Sequence, residues 1–154
     1  MRIHQSFVVS ASLESVWSAI ADVEGVASCL PGAELSDAAG DGTFAGTFTV
    51  KMGAATAAYR GTLKVESLDE AGRTATMRAS GRDQRGQGSA KATIVSRISD
   101  AAEGAQVDVD TDFTITGRLA RFGRGGMMED IASRLLQEFA ACLEQRLART
   151  SNQS

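Results

Sequence analysis

A chain of 154 residues, 43% of them apolar, is long enough for one domain with a real core, and its single proline, Pro31, excludes disorder by composition. A net charge of −3 excludes general nucleic-acid binding. No run of apolar residues approaches the roughly 18 needed for a membrane-spanning helix.

From the N-terminus, Ile3, Phe7 and Val9 share one face of a first strand, with His4, Ser6 and Val8 opposite. This alternation is unlike the apolar core of a leader, so the default expectation is a cytoplasmic protein. Ser10 or Ser12 caps a helix with Glu14 in its first turn. Leu13, Val16, Trp17 and Ile20 recur at helical spacing and predict one buried stripe. Asp22–Ala27 predicts a second short helical turn, ended by Pro31-Gly32.

Strands then dominate. Phe44, Phe48, Val50 and Met52 share a parity, Gly53-Ala54 predicts a hairpin turn, and Ala57, Tyr59, Gly61, Leu63 and Val65 line the returning strand. After a turn at Asp69–Gly72, Thr74–Ser80 forms the next strand with Ala75, Met77 and Ala79 on one face. Gly81–Gly88 reads as a polar loop, followed by a strand with Ala90, Ala92, Ile94, Ser96 and Ile98 in alternation. The clearest period of two is Val107, Val109, Thr111, Phe113 and Ile115 against Asp108, Asp110 and Asp112. Those aspartates spread over about 13 Å of extended strand, so they cannot close around one ion and instead mark a solvated face.

Residues 117–126 are rich in glycine and feed a long helix whose apolar face is Ile131, Leu135, Phe139, Cys142, Leu143 and Leu147. Glycines here relax the backbone at a strand-to-helix joint and keep side chains away from a cavity mouth. Met127 and Met128, flexible and polarizable, suit an adaptable apolar wall. Residues 118–149 carry six arginines against four acids, whereas residues 1–45 carry one arginine against six acids. Residues 150–154 form a polar tail expected to fray. The expected class is α+β in a single domain over residues 1–149. A curved antiparallel sheet of about six or seven strands wraps a long C-terminal helix, with two short helices after the first strand. Sixteen glycines and few aromatic residues point to an interior shaped around something else.

Catalytic signals are thin. Cys29 and Cys142 have no Cys-x-x-Cys spacing and no neighbouring histidine, so zinc is not expected, and Cys142 reads as a small buried hydrophobe. His4, the single histidine, falls on an outer strand face. Glu129-Asp130 suits a helix dipole, and Gly123-x-Gly125-Gly126 lacks the ending of a phosphate loop. No catalytic residue or metal ligand is assigned.

Several motifs, in this order and spacing, resemble the G-subunit family of carbon monoxide dehydrogenase. They are Val16-Trp17 with Ala21-Asp22, Cys29-Leu30-Pro31-Gly32, Val50-Lys51-Met52-Gly53 with Tyr59-Arg60-Gly61, and Gly117-Arg118-Leu119-Ala120-Arg121-Phe122-Gly123. The family lies within the helix-grip (START and birch-pollen-allergen, or SRPBCC) superfamily, and the resemblance covers about residues 2–147.

The resemblance implies a non-catalytic accessory protein of a molybdenum hydroxylase of the carbon monoxide dehydrogenase type. Such a protein binds a lipophilic molecule, a menaquinone or ubiquinone, as its only cofactor-like ligand, carries it toward the respiratory chain, or aids membrane recruitment. The expected ligand site is Leu30, Phe48, Met52, Tyr59, Met77, Phe113, Phe122, Met127 and Ile131, with binding and release governed by the Gly53 hairpin and the Gly117–Gly126 joint. Arg118, Arg121 and Arg124 are the expected contacts to membrane or an acidic partner. Some relatives carry a C-terminal extension that this chain lacks, and the 81–88 loop is polar here, so transient peripheral contact at the inner membrane face is expected rather than stable anchoring. Two alternatives stand beside this: a ligand-free assembly factor for the hydroxylase, and a cavity enzyme (cyclase or hydrolase) of the superfamily.

Overall fold

The computed structural model describes residues 1–52, 55–86, 88–117, 120 and 126–152. Strand β1 (Arg2–Val9) is followed by helices α1 (Leu13–Ala21) and α2 (Val23–Cys29). Six strands follow: β2 (Ala33–Ala38), β3 (Thr43–Met52), β4 (Ala55–Asp69), β5 (Thr74–Asp83), β6 (Ser89–Ala101) and β7 (Gly104–Ile115). Helix α3 (Met127–Asn152) closes the fold. All seven strands lie in one antiparallel sheet, in the order β1-β7-β6-β5-β4-β3-β2. This is the expected α+β helix-grip architecture.

Two local expectations need correction. Strand β2 is silent in the sequence pattern, because only Leu35 gives it an apolar rhythm and a bulge between Leu35 and Asp37 breaks the period. The 81–88 segment is not all loop: β5 runs on to Asp83, with Gly81 and Asp83 continuing the parity of Ala79. Helix α3 runs to Asn152.

Helix α1 starts where Ser12 accepts a hydrogen bond from the Ser15 amide at 3.1 Å, and Val16, Trp17 and Ile20 are buried. Burying each such side chain contributes roughly 1.5–3 kcal/mol. Ser12→Ala is expected to cost about 1 kcal/mol of unfolding free energy, measurable by urea titration.

Among the described residues, the inner face holds two separate apolar cores. The first joins α1, α2, β1, β6, β7 and the C-terminal half of α3, through Val9, Trp17, Ile20, Cys29, Ile98, Val107, Phe139 and Leu143. Phe7 and Phe139 meet edge to face there, with ring centres 6.1 Å apart. The second gathers Phe48, Val50, Ala57, Tyr59, Ala90, Ile115, Met128, Ile131 and Leu135 at the other end of the helix. Among the described residues, helix α3 packs on the sheet chiefly at β1 and β3.

A row of small residues crosses that central region. Gly46 faces Gly61, Gly61 faces Gly81, and Gly81 faces Ala90 in register. A Cβ on Gly61 would stand 1.8 Å from the Ser80 carbonyl oxygen, and one on Gly46 would stand 2.4 Å from that of Glu34. Only residues without a side chain permit strands to coil this tightly, so the row forms a crease on the concave side.

Candidate functional site

Between the two cores, the sheet presents Leu63, Met77, Ala79, Ala92, Ile94 and Phe113 toward α3. None belongs to either core. Met77 is buried, but the other five are only half-buried despite facing inward. The patch crosses four strands, about 14 Å at normal strand spacing. An inward apolar surface that keeps contact with solvent is a candidate contact surface for an apolar group.

Along the β2 side, a groove of about 370 Å³ lies between α2 and the sheet. Ala27 and Ser28 form its helical wall, Ala33, Leu35 and Phe44 its sheet wall, and Glu24 and Asp37 make its rim acidic. Its sheet wall belongs to the same inner face as the half-buried patch.

The inner face is not wholly apolar. Tyr59 and Asp83 are register partners across β4 and β5, and both are buried, at 7% and 6% exposure. Asp83 Oδ1 accepts a hydrogen bond from the Arg85 amide at 3.0 Å, which fixes the carboxylate at the start of the β5–β6 turn. Asp83 is hidden in the sequence because its polar neighbours suggest a loop; continued parity from Ala75, Met77 and Ala79 is the signal that could have found it.

The anticipated ligand residues divide into groups. Phe48, Tyr59 and Ile131 come together in the second core. Met77 and Phe113 lie between the cores, and Leu30 is half-buried at the C-terminal cap of α2. Met127 is 37% exposed at the first turn of α3. Met128 packs inward instead, because it stands three residues before Ile131 and seven before Leu135 on one stripe. Met52 ends β3, but its side chain falls outside the described residues, as do Phe122, Arg118, Arg121, Arg124, the Gly53 turn and most of the 117–126 joint.

Cys29 and Cys142 correct the expectation of an unpaired buried thiol. They form a disulfide across 113 residues, with Cα atoms 5.5 Å apart. The apolar phase of Cys142 on its helix does hold, since it packs against the first core, and helix packing then brings Cys29 to it.

On the outer face, His4 Nδ1 lies 2.7 Å from Asp110 Oδ1 and His4 Nε2 lies 3.5 Å from Ser6 Oγ. Serine, histidine and aspartate thus stand in the order of a nucleophilic triad. The Ser6 hydroxyl donates to Asp108 instead, and the surrounding carboxylates would repel an oxyanion. These contacts hold both acids below the usual carboxylate range: Asp108 mainly through Ser6, and Asp110 mainly through His4, then Arg97. Because the folded values are depressed, their stabilising contribution is present above about pH 4 and is lost as pH falls through those lowered values. Asp110→Asn is expected to flatten the acid limb of a stability-versus-pH curve, and an unchanged limb would refute the assignment. Among the described residues, no group of three or more metal-ligating side chains converges.

The CoxG family model, which describes the G subunit of carbon monoxide dehydrogenase, matches residues 6–148. The chain belongs to that family. No curated protein matches it. Solved structures similar to this CoxG family chain include a conserved protein from Geobacillus kaustophilus, 18% identical over 97% of both chains with a TM-score of 0.82. A START superfamily protein from Mycobacterium smegmatis is 17% identical over 97% of this chain and 98% of its own, with a TM-score of 0.66. The ZhuI aromatase/cyclase from Streptomyces sp. R1128 is 18% identical over 97% and 94%, with a TM-score of 0.62. At these identities the likeness shows the shared fold alone. Among the described residues, no helix is long and apolar enough to cross a membrane.

Proposed function

We propose that this CoxG family protein binds a lipophilic small molecule, a quinone, on the concave side between the sheet and α3, and serves a molybdenum hydroxylase without catalysing a reaction itself. The observation that carries this is the half-buried inner patch of Leu63, Ala79, Ala92, Ile94 and Phe113 between two closed cores. A flat apolar ring fits such a surface, and its burial would supply the binding energy. Tyr59 can donate to a ring carbonyl, and Asp83 can accept from a ring hydroxyl. The acidic groove rim at Glu24 and Asp37 disfavours an anionic lipid or acidic partner there, whereas residues 118–149 carry six arginines against four acids in sequence.

The test is native mass spectrometry and solvent extraction of protein purified in the presence of quinone-containing lipid. A stoichiometric quinone supports binding; an empty chain that still captures the hydroxylase supports the assembly role instead. Asp83→Asn is expected to weaken binding of a hydroquinone about 10-fold relative to the matching quinone, because a carboxyl oxygen able to accept is replaced by an amide NH2 that only donates. Equal losses for both forms would place Asp83 in the turn alone.

The paired Tyr59 and Asp83 also favour a second reading, a cavity enzyme, since acid–base work needs inward polar groups. Chemical conversion of a bound polyketide or ester probe, abolished by Asp83→Asn, would establish it.

A further inference from the structure

The C-terminal half of α3 carries chemistry that ligand binding does not use. Cys29 ends α2, Cys142 lies on α3, and their disulfide is a covalent tie between the two helices. One helical turn beyond Cys142, Arg146 places Nη1 2.7 Å from the Gly25 carbonyl oxygen, 3.3 Å from Ser28 Oγ and 3.8 Å from Cys29 Sγ. Gly25 makes room for this arrangement, because a Cβ there would meet the guanidinium nitrogens at 3.0 and 3.1 Å and Asp22 Oδ2 at 2.7 Å. The two sulfurs are therefore inequivalent. Cys29 is 4% exposed and stands beside a cation, whereas Cys142 is half-buried and is the more accessible.

We propose that the Cys29–Cys142 bond is a thiol-exchange site, attacked at Cys142 with Cys29 as the leaving group. A thiolate forms a new S–S bond to Cys142 Sγ, the existing S–S bond breaks, and its electron pair departs on Cys29 Sγ. The Arg146 guanidinium stabilises that thiolate and offsets the unfavourable C-terminal dipole of α2. A lower leaving-group pKa speeds such exchange. With a dithiol as reductant, its second thiolate attacks the mixed disulfide and releases Cys142. The dithiol loses two electrons and two protons and becomes a cyclic disulfide; Cys142 takes up one proton, and Cys29 stays a thiolate or takes the other. The fold holds the sulfurs together and opposes reduction, while Arg146 works in the other direction. Because α2 forms one wall of the groove through Ala27 and Ser28, release of the tie removes the covalent restraint between that wall and α3 and leaves the Arg146 hydrogen bonds to hold it. This last consequence rests on the binding function proposed above; the exchange itself does not.

The intact oxidised protein is incubated with reduced glutathione in native buffer, quenched with an alkylating reagent and mapped by peptide mass spectrometry. Glutathione is expected on Cys142 and the alkyl group on Cys29. In a graded dithiothreitol redox buffer, Arg146→Met is expected to lower the reduced-to-oxidised ratio about 10-fold, with Arg146→Lys recovering most of it. Circular dichroism of each variant checks that the fold is retained. Glutathione on Cys29, or no reaction until urea unfolds the chain, overturns the proposal, and the wild-type map stands even if a variant fails to fold. A chain that binds no quinone leaves this map unchanged, so the two ideas fail separately.

Discussion

Ala92→Phe is expected to lower quinone affinity at least 100-fold while leaving the thermal midpoint level or higher. Ala92 lies on the inner face of β6, between Ala79 and Phe113 in register, and is only half-buried. A phenyl ring there would occupy the space assigned to the ligand. If the space is open, burying the ring stabilises the fold by up to about 2 kcal/mol. If the interior is already packed, the same ring costs about 1–3 kcal/mol as an overpacked side chain. Calorimetric titration with a soluble quinone and a melting curve on the same sample separate these cases. Wild-type affinity in the variant would place the ligand elsewhere. A strongly lowered midpoint, together with no binding by the wild type, would favour the assembly role.

Removing the disulfide is the largest stability change expected. The bond closes a loop of 113 residues, and the chain-entropy model assigns such a loop on the order of 4–5 kcal/mol. That is a large part of the roughly 5–15 kcal/mol that holds a typical domain folded. Cys142→Ala, Cys29→Ala and the double variant are expected to lose similar amounts, since each removes the same cross-link. Urea unfolding, with and without a reductant, measures the loss. A drop below about 1 kcal/mol, or no further effect of reductant on the wild type, would mean that the bond is not formed in solution. The expected default of a cytoplasmic location sits uneasily beside such a bond, because reducing compartments keep most thiols unpaired.

Much of the architecture is legible in the sequence where one face is wet and the other dry. The aspartates of β7 alternate with Val107, Val109 and Phe113, so its register follows from a period of two. The stripe of Val16, Trp17 and Ile20 discloses α1 in the same way. Legibility fails where contacts are non-local or the rhythm breaks. Nothing within 113 residues of sequence says that Cys29 will meet Cys142, because that meeting is made by helix packing. Asp83 is lost among polar neighbours although the parity of β5 runs through it. The choice between Met127 and Met128 depends on the first turn of α3, and helix ends are weakly encoded. Phe48, Tyr59 and Ile131 are legible as a group because each carries the inward parity or phase of its own element.

The glycine crease has a consequence for any attempt to redesign ligand preference. Positions 46 and 61 cannot take even a methyl group without moving a neighbouring carbonyl, so a library that randomises them mostly yields unfolded chains. Ala79 and Ala92 stand beside the crease and already carry a Cβ on the inner face. Depth can therefore be adjusted at these two alanines one carbon at a time, while the glycines stay constant as the mould in which each new shape is cast.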